Sequence, residues 1–241
     1  MSLRLITLCL LGAAAQFHAC AIPSGAETSA GTTAQLLDRF LQSAEPRLIS
    51  YRARRVLEAS SMGGRMNASL EAMTYLDSDG TFRFDVVAES GSSLIRERVL
   101  TAALLAEQRS RNRRETSEAE LTPANYQFEV RPGESPDTLR LGLIPRRRSP
   151  MLLHGNAVVT ASGADLLRIE GSPSELPSYW TTRVDIVRQY ARIAGVRVAT
   201  EMRSRAAVRI AGESSFSMTY AYTMINGKDV THLRATVRQV R

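Results

Sequence analysis

The sequence predicts a mainly β chain with two helices, an α+β fold in which a long curved antiparallel sheet forms an incomplete β-barrel over those helices. Three observations predict it. Long stretches alternate apolar with polar residues at period two. Only two segments keep helical spacing. Turn residues punctuate the strands at short intervals. The longest stretch, VRVATEMRSRAAVRI, places Val196, Val198, Thr200, Met202, Ser204, Ala206, Val208 and Ile210 on one side. Arg197, Ala199, Glu201, Arg203, Arg205, Ala207 and Arg209 fall on the other. Strands beyond the usual ~3–10 residues coil strongly when they share a large sheet. Such a sheet closes on itself or curls around whatever covers its apolar face.

The elements follow in order. Residues 1–21 read as an export signal: Arg4 supplies a positive charge, Leu5 to Ala15 is apolar, and Ala19-Cys20-Ala21 fits a small-x-small cleavage site. The apolar run, about 11 residues, is too short to span a bilayer core of about 30 Å as a helix. Cys20 stands where a bacterial lipid attachment would fall, with Ala19 fitting that pattern and Phe17 and His18 departing from it. Since Cys9 is inside the signal, the mature chain keeps at most one cysteine and no internal disulfide. Residues 22–31, rich in Ser, Gly, Ala and Thr, read as a flexible leader.

The main domain is expected over residues 32–225. Thr32 or Thr33 caps a first helix whose Leu36, Leu37, Phe40 and Leu41 share a face and which Pro46 ends. Three alternating segments follow, around Tyr51–Ala59, Arg65–Asp77 and Phe82–Glu89. Gly63-Gly64 and Asp77-Ser78-Asp79-Gly80 turn them into a meander. From Ser92 to Gln108 the period becomes helical, with Ile95, Val99, Ala102, Ala103 and Ala106 on one face. A charged run, RSRNRRETSEAE, continues to Glu120 as more helix or as a loop, and Pro123 closes it. Strand patterns then return to Ile225, for a total of about nine to eleven strands. Residues 226–241 form a basic C-terminal strand or tail.

Chemistry-bearing motifs are missing from this sequence. It has no G-x-S-x-G elbow, phosphate-binding loop or dinucleotide fingerprint, and His18, His154 and His232 lack partners at metal-ligand spacing. No metal, cofactor or catalysis is therefore expected. The formal charge is +7, and all but one of the 31 basic residues are arginine, a skew that GC-rich codons produce. Arg109, Arg111, Arg113 and Arg114 form a basic cluster suited to a partner protein or lipid headgroups, with peripheral membrane contact. No aromatics interleave with them, so nucleic acid is not an expected partner. Trp180, the only tryptophan, is a core plug or hairpin cap, or it lines the mouth of a cavity.

The phrases "LLRIEG" (Leu166 to Gly171), "PSYW" (Pro177 to Trp180) and "IVRQYARIAGVRV" (Ile186 to Val198) resemble exported proteins of the LolA/LolB class, to which the sensor RseB has a related N-terminal domain. The layout resembles that class too: an N-terminal amphipathic helix, long antiparallel strands, and a helix inserted after the third strand. The resemblance implies a periplasmic protein, without enzymatic activity, whose half-barrel shelters lipid or lipoprotein acyl chains. The drier strand faces then supply the lining candidates Leu57, Leu70, Phe82, Phe84, Val86, Leu141, Leu143, Ile186, Met202, Phe216, Met218 and Tyr220, with Ile95 and Val99 from the inserted helix. The competing expectation is an envelope interaction or sensor module with a filled core and no ligand.

Overall fold

The computed structural model describes residues 28–42, 46–112, 119–209 and 212–232. The expected signal, with Cys20, lies outside them. Helix α1 (Thr28–Gln42) comes first. It begins inside the stretch expected to be a flexible leader, because no proline stands between Pro23 and Pro46 to stop the helix growing backwards. Strands β1 (Tyr51–Ser61), β2 (Met66–Leu76) and β3 (Phe82–Gly91) form the expected meander. The inserted helix is built of α2 (Ser93–Ile95), a π-helical stretch over Arg96–Thr101, and α3 (Ala102–Asn112). The wider π turn brings Val99 and Leu100, then Ala103 and Leu104, to the sheet as adjacent pairs, each at most 4% exposed.

Eight strands follow, of which the last is a two-residue one: β4 (Tyr126–Pro132), β5 (Thr138–Pro145), β6 (Leu153–Thr160), β7 (Leu166–Pro173), β8 (Thr181–Ile193), β9 (Val196–Val208), β10 (Gly212–Ile225) and β11 (Lys228–Asp229). They make one antiparallel sheet in the order β3-β2-β1-β10-β9-β8-β7-β6-β5-β4, with β11 beside β10. The edges β3 and β4 do not pair, so the sheet curls without closing. The chain leaves the β3 edge, crosses under the sheet as the inserted helix, and re-enters at the β4 edge. Asn226 and Gly227 turn β10 into β11 with φ of 47° and 79°, which favours Asn-Gly. Asn226 also accepts hydrogen bonds from the Ile49 and Ser50 N–H groups at 2.8 and 3.1 Å, fixing the entry of β1.

The core has two main parts. The inserted helix packs Ile95, Val99, Leu100, Ala103 and Leu104 on β1, β2, β8, β9 and β10. Helix α1 packs Leu36 and Phe40 on β4, β5, β6 and β7. Burying each large apolar side chain contributes about 1.5–3 kcal/mol, so each helix is held chiefly by the sheet surface that it dries.

Candidate functional site

The structure gathers most of the expected lining residues under the inserted helix. Leu57, Leu70, Ile95, Val99, Ile186, Met202, Phe216 and Met218 form one buried cluster, with Phe84 and Tyr220 packed at its margin. Leu141 and Leu143 lie under α1 in the second cluster. Phe82 belongs to a third, with Tyr51, Ala53 and Leu76. Two expectations need correction. Val86 is 44% exposed: β3 is an edge strand, and a bulge shifts its register where Glu71 and Ala72 face it. Beyond the bulge Glu89, not Ala88, shares the face of Leu70 and pairs with Arg96 of the inserted helix. Trp180 is 45% exposed and is not among the residues that wall the cavity described below, because the turn at Ser178–Thr181 carries it outward.

The basic cluster divides. Arg109 is exposed on α3, where its Nε donates to the Leu105 carbonyl. Arg111 turns inward and pairs with Glu107 one turn earlier at 3.0 Å, so it is not the surface contact expected of it. Arg113 and Arg114 lie outside the described residues.

Glu107 meets a group that sequence reasoning missed. Arg55 sits on the inward face of β1, between Ala53 and Leu57, and is 1% exposed. Its Nη1 donates to Glu107 Oε2 at 2.6 Å and its Nη2 to Oε1 at 3.2 Å. Nη2 also donates to the Tyr51 hydroxyl. The Tyr220 and Phe82 ring centroids stand 4.6 and 5.2 Å from the guanidinium carbon. Burial pushes the Glu107 carboxyl up, but attraction and hydrogen bonds from Arg55 and Arg111 outweigh it and bring the pKa down to about 2. Burial likewise raises the Tyr51 phenol to about 12 and lifts Tyr220 and Tyr222. These phenols stay protonated at neutral pH and serve as neutral hydrogen-bonding groups. The cluster fastens a helix to a sheet.

Between the two helix-covered halves lies a cavity of about 50 Å³. Ala119 and Leu121 wall it from the segment after the inserted helix, and Pro150 and Met151 from the β5–β6 loop. Tyr126, Leu153, Ile169, Ile186, Arg188 and Tyr190 complete it from β4, β6, β7 and β8. By this measure a water needs about 10–15 Å³, and a cavity of about 150 Å³ takes a benzene. The space therefore suits a few waters or the tip of an apolar chain. Arg188 brings a cation to an otherwise apolar wall and points its Nη2 at Met202 Sδ, 3.9 Å away.

No group of three or more His, Cys, Asp or Glu able to hold a metal occurs among the described residues. Asp77 pairs with Arg83 at 3.0 Å, and Asp79 accepts from the Thr81 N–H at 2.8 Å, so their turn is an ordinary hairpin turn. No described helix is long and apolar enough to cross a membrane. No family model matches the chain, and no curated protein matches it. Among solved structures, a LolA superfamily protein from Nitrosomonas europaea is similar over 78% of this chain and 91% of its own, at 10% identity and a TM-score of 0.41.

Proposed function

We propose that this is an exported, periplasmic, non-enzymatic protein that binds a lipid or lipoprotein acyl chain beneath its curved sheet. The observation that carries the reading is the mostly apolar cavity walled by β4, β6, β7, β8, the β5–β6 loop and the segment before β4, with Arg188 in its wall. Dispersion and burial suffice for such a ligand, at about 0.8 kcal/mol per methylene removed from water. Arg188 suits an anionic or ester head close to the chain. A whole acyl chain exceeds the cavity, so binding requires its walls to move apart. Closed packing of the inserted helix favours a second reading, an envelope interaction module with a filled core.

Native mass spectrometry of the mature protein purified without detergent, with organic extraction, separates the two. Acyl species at near one per chain are expected, and Ile186→Trp, which fills the cavity, removes them. A mass that stays clean after incubation with phospholipid and lipopeptide overturns the binding reading in favour of the interaction module.

A further inference from the structure

Nine large apolar side chains are exposed among the described residues, and five of them gather at one end of the sheet. Met62 is in the β1–β2 turn, Leu94 begins the inserted helix, and Leu176, Tyr179 and Trp180 are in the β7–β8 loop. Strand order brings these turns to a common rim, and backbone hydrogen bonds tie them together. The Gly63 N–H donates to the Glu213 carbonyl at 3.2 Å, and the Arg209 N–H to the Trp180 carbonyl at 2.9 Å. The Tyr179–Trp180 tip is built rather than loose. The Thr181 N–H donates to the Ser178 carbonyl at 3.1 Å, and the Trp180 N–H to Ser178 Oγ at 3.2 Å. Tyr179 is 76% exposed, meets Trp180 edge-on at 5.6 Å, and lies 4.9 Å from the Arg209 guanidinium.

Charge at this rim is mostly positive. Its described turns carry Arg65, Arg146, Arg147, Arg148 and Arg209 against Glu175 and Glu213. Aromatic tips with a polar edge favour the boundary between water and hydrocarbon, and arginines beside them favour anionic headgroups. The tips are exposed side chains on turns, whereas protein hot spots sit in well-packed pockets. We infer that this rim docks on an anionic phospholipid bilayer, with Tyr179 and Trp180 entering the headgroup layer and the arginines lying over it. This goes beyond the acyl-binding reading and does not require an occupied cavity. Pro150 and Met151, which wall the cavity, lie in the same loop region as Arg146–Arg148 and would face the membrane.

Trp180 is the chain's only tryptophan, so its fluorescence reports on the rim in the unaltered protein. The probes are vesicles of phosphatidylglycerol with phosphatidylcholine, vesicles of phosphatidylcholine alone, and the first kind with brominated acyl chains. The expected result is a blue-shifted emission, quenching by the brominated lipid, and co-sedimentation that requires phosphatidylglycerol and weakens with salt. The exposed pair Leu176→Ser and Tyr179→Ser lowers vesicle affinity by roughly tenfold or more while leaving the thermal midpoint in place. Unchanged emission and no co-sedimentation at low salt overturn the inference. So does binding that persists in the double variant, or an emission shift driven by protein concentration alone, which assigns the rim to a second copy. Lipid that co-purifies without retention on vesicles leaves acyl binding standing and sinks the docking surface, and retention without co-purified lipid does the reverse.

Discussion

The two covering helices seal the same sheet by different means. The inserted helix joins the β3 edge to the β4 edge and locks one side chain, Glu107, into a buried fork with Arg55 of β1. Helix α1 covers β4 to β7 through Leu36 and Phe40, with Arg39 at its margin donating to the Ser162 carbonyl at 2.8 Å. A buried ion pair pays a desolvation cost of several kcal/mol for each ion and recovers it only in good geometry. Its value is positional, since a slip of the helix leaves Arg55 buried without its anion and Glu107 with Arg111 alone. Apolar packing tolerates small slides at modest cost. The half under the inserted helix is therefore in fixed register, while the half under α1 is the one able to yield.

Breaking the lock should have the largest effect. Glu107→Leu leaves Arg55 buried without its anion and should cost about 3–5 kcal/mol, read as a lower urea midpoint. Adding Arg55→Met should restore most of that loss. A double variant as unstable as the single one would show that lost packing, not the stranded charge, sets the cost.

Acid probes the same lock without mutation. The folded pKa of Glu107, about 2, lies below its ordinary value of 4.5, so the folded state favours the carboxylate. The resulting stability is fully present above about pH 4.5 and is lost as pH falls through about 2. The loss amounts to about 3 kcal/mol, and it should vanish in the double variant. Urea midpoints across that window in both proteins check this.

The contrast between the halves also marks what could be read from the sequence. Period-two alternation places β1, β2 and β9 within a residue or two, since inward and outward side chains see opposite environments. It fails at β3, where the bulge reverses the faces and no residue type announces it. The lining candidates were legible as a dry stripe, but a stripe does not say whether a helix or a ligand covers it. Arg55 had a readable sign, a charge on the same side as Tyr51, Ala53, Leu57 and Ala59. Arg188, between Ile186 and Tyr190 in the alternation, had the same sign. For Arg55 the partner, Glu107, lies far off in sequence, and long-range pairing is set by topology rather than local pattern.

Helix α1 supplies the milder tests. Leu36→Ala removes a 5%-exposed side chain from the second cluster and should cost about 2–3 kcal/mol. If α1 is the yielding cover, that loss is local. Hydrogen exchange at the amides of α1 should then accelerate well before those of β1, β9 and β10 do, because local opening draws on fewer contacts than global unfolding. Equal acceleration in the inserted helix would mean that the two covers open as one and would erase the distinction between the halves. Arg39→Ala should change stability by no more than about 0.5 kcal/mol, since its bond to the Ser162 carbonyl is exposed to competing water. A larger loss would place part of the α1 attachment in that polar contact and make the two halves more alike than their packing suggests.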